Sequence, residues 1–163
     1  MASYMKNKEI ISYKLLFILT CFLSIIIISG CSFRKPEDKV IHDIAFQLSQ
    51  KEFVIKLDPP LARTHNSASV FLAIQENWTA EPPWTGIKLQ SGKNINVGVS
   101  LKTAEDKKYS AKIIGAAVGA KGKFLQARFE PEIPTKDKIT SVHLSASENI
   151  TCTKVLWHNY DPN

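Results

Sequence analysis

The sequence predicts an all-β protein: an antiparallel β-sandwich, Ig-like or jelly-roll-like, behind an N-terminal signal peptide. Three observations carry that expectation. Past residue 50 the apolar residues recur with a period of two and not 3.6. The alternating segments are short and are separated, at about 8–15 residues, by Gly, Pro, Asn and Asp. No amphipathic stretch is long enough to serve as the crossover helix of a parallel βαβ unit. The chain has 163 residues. Once the export segment is set aside, about 133 remain, enough for one domain with its own core.

The N-terminus reads as an address. Leu15 to Ile28 is LLFILTCFLSIIII, fourteen residues without a charge, preceded by Lys6, Lys8 and Lys14 and closed by Ser29-Gly30-Cys31. A basic flank, an apolar run of about 7–15 residues and a small-residue cleavage site make a secretory signal peptide. A spanning helix needs about 20 apolar residues, more than this run supplies. Met5 looks like a more usual start than Met1. Ile28-Ser29-Gly30-Cys31 resembles the lipobox of bacterial lipoproteins, in which a branched aliphatic and two small residues precede a cysteine. The resemblance spans about residues 5–32. It implies cleavage between Gly30 and Cys31, a diacylglyceryl thioether on Cys31 and acylation of the new amine. Residues 1–30 are then a cleaved lipoprotein signal peptide, 31–37 a short lipidated tether and 38–163 a single β-sandwich domain. Each buried methylene contributes about 0.8 kcal/mol to membrane binding, so two or three chains hold firmly where one is marginal. Ser32, where Gram-negative lipoproteins kept in the inner membrane carry aspartate, implies the outer membrane, facing the periplasm, for a Gram-negative source.

Setting aside Lys6, Lys8, Lys14 and Glu9 lowers the formal net charge from +6 to +4. The remaining basic residues are interspersed with acidic ones, without the basic cluster and interleaved aromatics of a nucleic-acid binder. Cys21 leaves with the signal peptide and Cys31 carries lipid, so Cys152 is the one free thiol of the mature chain and no internal disulfide is expected. A lone thiol in an exported protein is expected in the core.

The elements follow in order. Val40 to Ser49 fits both a helical face (Val40, Ile44, Leu48) and a strand, and is expected as a strand or a short helix feeding one. Phe53, Ile55 and Leu57 alternate before the breaker Asp58-Pro59-Pro60. Val70 to Ile74 is an apolar run, as for a strand buried on both faces. Asn77 to Gly86 is a loop carrying Trp78, Pro82, Pro83 and Trp84. Ile95, Val97, Val99 and Leu101 alternate with Asn94, Asn96, Gly98 and Ser100. Tyr109 to Ile114 and Phe124 to Phe129 form a hairpin around Gly115 to Lys123. Val142, Leu144 and Ala146 alternate with Ser141, His143 and Ser145, and Thr151 to Trp157 is the last strand. Seven or eight strands are expected.

Chemistry-bearing patterns are sparse. His42, His65, His143 and His158 show no metal-ligand spacing, so neither a metal nor a cofactor is expected. Asp58, His65 and Ser67 make a triad on paper but lack a Gly-x-Ser-x-Gly elbow. His143 is expected to be a solvated residue on the polar face of its strand. Gly115 to Lys123 lacks the Gly-Lys-Ser/Thr ending of a phosphate loop. The chain is therefore not expected to be an enzyme. Trp78, Pro82, Pro83 and Trp84 are the candidate binding residues. Tryptophan is enriched in binding hot spots, and proline lowers the cost of holding a loop in its bound shape. The same rings could instead cap an end of the core. The expected function is a lipid-anchored, non-enzymatic binding, scaffold or immunity module for a periplasmic or envelope protein partner. The alternative is a carbohydrate- or peptidoglycan-binding module using the loop tryptophans.

Overall fold

The computed structural model describes residues 37–64, 67–81, 85–119, 122–130 and 132–160. The expected signal peptide, Gly30, Cys31 and the tether before Glu37 lie outside the described residues. Every regular element among the described residues is a strand: β1 Glu37–His42, β2 Phe46–Leu48, β3 Phe53–Ala62, β4 Ser67–Ile74, β5 Trp78–Thr79, β6 Gly86–Leu89, β7 Asn94–Thr103, β8 Lys108–Gly119, β9 Gly122–Phe129, β10 Lys138–Ala146 and β11 Ile150–Tyr160. The three short strands β2, β5 and β6 bring the total to eleven where the sequence pattern predicts seven or eight.

All pairings are antiparallel, in the order β1-β11-β4-β9-β8-β7-β10-β3, with β2 also on β11 and β5-β6 appended to β7. The later strands fold back on the earlier ones in nested fashion: β11 on β1 and β2, β10 on β3, β9 on β4, and β8 on β7. β8 joins the two halves. Lys108–Ser110 pair with β7, and from Ala111 onward the strand pairs with β9. The sheet is nearly barrel-shaped. Its two ends, β1/β2 and β3, share no ladder; rings fill the seam, with Phe46 stacked on Phe53 at 4.0 Å and His42 edge-on to both.

The core follows from the alternation. On β7, Ile95, Val97, Val99 and Leu101 are buried while Asn94, Asn96 and Gly98 are exposed. β4 is flanked on both sides, by β11 and β9, and is buried along almost its whole length, as the Val70–Ile74 run predicts. Trp157 and Phe129 are the largest fully buried side chains.

One open expectation resolves to strand, and two change. Val40–Ser49 contains no helix: it is the end of β1, a three-residue break and β2. β3 runs through Pro59 and Pro60. It is an end strand with one partner, and its register on β10 skips from Lys56 to Leu61, so the prolines deprive no ladder of a donor. The expected Gly115–Lys123 connection is mostly strand, because β8 continues to Gly119. A register shift falls between Ile113 and Gly115, and Gly115 sits at φ 142°, which only glycine adopts without strain.

The registers also define two ends. Glu37, where the described chain begins, pairs with Asn159, and Asn159 with Ala68; Ala62 pairs with Lys138. These lie at the entry end. The opposite end carries the turns Ser49–Glu52 and Ser147–Asn149, the β8–β9 hairpin and the β5–β6 hairpin. That last hairpin projects past the final β7–β10 rung, Val97↔Ala146.

Candidate functional site

The far end holds the loop that the sequence singles out. Gly86 is forced there by contact: a Cβ would lie 1.9 Å from the Ile95 carbonyl oxygen, so only glycine lets β6 approach β7. The turn closes with the Gly92 N–H donating to the Leu89 carbonyl at 2.8 Å and the Leu89 N–H to the Lys93 carbonyl at 2.9 Å. The Gln90 N–H donates to the Asn77 carbonyl at 3.0 Å, which fastens β5 to this hairpin.

Trp78 points inward. It is 5% exposed and belongs to the core, and the Lys123 ammonium lies 4.2 Å from its ring centroid while donating to the Trp78 carbonyl. Its ring face is occupied by a cation and by neighbours, leaving none for a ligand to stack on. Of the alternatives open for this residue, capping an end of the core is the one realised. Pro82, Pro83 and Trp84 lie outside the described residues.

Three clefts open at this end. One of about 350 Å³ is walled by Glu81, Thr85, Lys88, Asn94 and Asn96. A second, about 490 Å³, lies across Glu81 and Lys88 and adds Asn77, Thr79 and Gln90. A third, about 560 Å³, lies between the turns Ser49–Lys51 and Ser147–Asn149. Amides concentrate here. Of the ten Asn and Gln residues among those described, only Gln126 and Asn159 lie elsewhere. An amide both donates and accepts, which suits backbone or hydroxyl groups. The most exposed large aliphatic, Val118 (79%), is on this end too, and Ile44 (70%) sits in the break between β1 and β2, alongside the middle of β11. The charges at these clefts are of both signs, with Lys93 paired to Glu148.

A second constellation lies on the outer face of the β3-β10-β7-β8 half. The Ser141 Oγ is 2.8 Å from His143 Nε2, and His143 Nδ1 is 2.8 Å from Glu52 Oε2. An ionised carboxylate can only accept, so Nδ1 carries a proton; in the neutral imidazole Nε2 then accepts from the Ser141 hydroxyl. The hydrogen bond from His143 holds the Glu52 carboxyl below its ordinary range, against the raising effect of partial burial; Lys108, 3.8 Å away, acts in the same direction as His143. His143 does lie on the polar face of β10, as expected, but it is 9% exposed and not solvated. The Ser-x-His spacing is legible in the sequence. Glu52, 91 residues away, carries no local signal. Of the trio Asp58, His65 and Ser67, Asp58 is exposed on β3, Ser67 is buried on β4, and His65 lies outside the described residues.

The remaining chemistry is structural. The Cys152 thiol is fully buried, and burial pushes its pKa up to about 12. Asp137, 4% exposed, accepts from the Tyr109 hydroxyl at 2.6 Å. No group of His, Cys, Asp and Glu able to hold a metal ion occurs among the described residues. The chain matches no protein-family model, no curated protein and no solved structure.

Proposed function

We propose that this chain is a lipid-anchored envelope lipoprotein, held through Cys31, which acts as a non-enzymatic binding, scaffold or immunity module for a protein partner in the periplasm or envelope. The observation that carries the reading is the polarity of the body. The chain enters at Glu37 on one end, while three clefts, most of the amides and the exposed Val118 are on the other. A body anchored at its entry end turns its far end away from the bilayer, towards partners in the periplasm. Exposed aliphatic and amide side chains suit a protein surface better than a sugar, which prefers an open aromatic face. The fold reads as a jelly-roll sandwich and not an Ig-like one. The nested pairing supports this, as does the spatial order β10-β7-β8-β9, a Greek key. For a Gram-negative source, Ser32 supports an anchor in the outer membrane, facing the periplasm.

Two measurements test the proposal. Metabolic labelling with a palmitate analogue should mark the protein, and Cys31→Ser should abolish both the label and membrane retention. Purification from detergent-solubilised membranes should recover one stoichiometric protein, lost on Val118→Glu. Retention on peptidoglycan that survives this substitution would favour the glycan-binding alternative.

A further inference from the structure

We infer that Ser141 is a nucleophile, activated by His143 and Glu52, which accepts an acyl group from activated esters. This goes beyond the binding reading, does not depend on it, and departs from its non-enzymatic part.

The geometry is that of an activated hydroxyl. Base and nucleophile lie within hydrogen-bond reach, and a third group orients the base. Glu52 fixes the proton on His143 Nδ1, which leaves the Nε2 lone pair facing the Ser141 hydroxyl. Burial of His143 keeps the ring in that orientation.

A backbone device makes the arrangement possible. Ile139 is wholly buried, and in a regular strand Ser141, two residues on, would point into the core beside it. The register of β10 shifts between Ile139 and Ser141 against both neighbours, β3 and β7. That bulge, at Thr140, turns Ser141 out onto the face occupied by His143. The hydroxyl is then half-buried between Lys56 and Lys102, its cross-strand neighbours. Of the two, Lys102 is paired with Asp106 at 3.1 Å, and Lys108, next in the same row, reaches Glu52. An oxyanion forming on an acyl group at Ser141 would lie between the Lys56 and Lys102 side chains.

The step balances without a redox partner. The Ser141 Oγ bonds to the carbonyl carbon of an ester, and its proton passes to His143 Nε2. The carbon–alkoxide bond breaks, and the leaving alkoxide takes that proton. Water, activated by the same imidazole, later releases the acid. β10 is paired on both sides, so its backbone N–H groups are committed to ladders and do not form an oxyanion hole. The substrate class is therefore esters with good leaving groups, on an open face, and acylation outruns deacylation.

The test uses the full chain in detergent with two probes, a biotinylated fluorophosphonate and p-nitrophenyl acetate, read by intact mass and peptide mapping. One modification at Ser141 is expected, with its rate recorded as a pH profile. Ser141→Ala should abolish it, and His143→Gln should slow it about 100-fold or more and flatten the pH profile. Glu52→Gln should slow it less while shifting that profile, which a merely structural role would not do. Thermal melts of each variant separate loss of fold from loss of reactivity. Labelling of Ser141 no faster than of Ser110 or Ser145, or a folded His143→Gln variant that labels like the parent, would overturn the inference.

Discussion

Removing Phe46 and Phe53 singly and together tests how the barrel closes. Among the described residues β2 pairs with β11 and β3 with β10, and no ladder crosses the seam between them; the Ala146 N–H donates to the Ser49 carbonyl beside it at 2.8 Å. The two rings stack at 4.0 Å with 17° between their planes, and both are half-buried against the core. A fully buried Phe→Ala change costs about 3–5 kcal/mol. Half-burial lowers the expectation to about 2–3 kcal/mol for each single variant. The stacking itself contributes about 0.5–1.5 kcal/mol beyond burial, so the double variant should lose less than the two singles combined, by about that amount. Urea unfolding of the four proteins yields the coupling directly, provided the denaturant slopes stay constant. A coupling below about 0.3 kcal/mol, within the scatter of independent sites, would mean that the rings do not hold the seam together.

Three further outcomes follow from the same structure. Trp78→Ala should act on stability, lowering it by about 3–5 kcal/mol in a urea melt, because the ring is in the core; an unchanged midpoint would mean the ring is free. Glu52 has a carboxyl pKa lowered in the fold, so its stabilisation is present above the unfolded carboxylate value and is lost as pH falls through the folded one. Glu52→Gln should therefore reduce stability at neutral pH and flatten the acid limb of a melting-temperature profile, and an unchanged acid limb would refute the pairing with His143. Cys152, with its thiol pKa pushed up to about 12 by burial, should resist a disulfide reagent at pH 8 in the native state and react on unfolding; rapid native labelling would contradict its burial.

The individual strands were far more legible in the sequence than their arrangement. Alternation placed β7 and β10 correctly because half-buried strands write their orientation in every second residue. The apolar Val70–Ile74 run announced a strand with neighbours on both sides. The Pro59-Pro60 pair misled because a breaker in isolation is tolerated on an end strand with a free edge. β5 and β6 were hidden because strands of two and four residues are too short to show a period. Strand order depends on contacts between distant segments, and the nested return of β8–β11 onto the earlier strands leaves no local trace. Among site residues, Trp78 was visible as an aromatic in a polar loop, but its inward orientation and its contact with Lys123, 45 residues on, are set by packing between distant segments. Ser141 and His143 were visible as an i, i+2 pair. Glu52, and the bulge that turns Ser141 outward, became apparent only in three dimensions.

The central claim is that one end of this body faces the membrane and the other faces a partner. Site-specific photo-crosslinking in intact cells tests it most directly. A crosslinking residue is placed in turn at Ser91 and Val118 on the far end, and at Glu105 and Lys136 on the entry end. The account predicts a discrete crosslinked protein band from the far-end positions and none from the entry-end positions. Bands that arise from Glu105 and Lys136 while Ser91 and Val118 stay silent would contradict it.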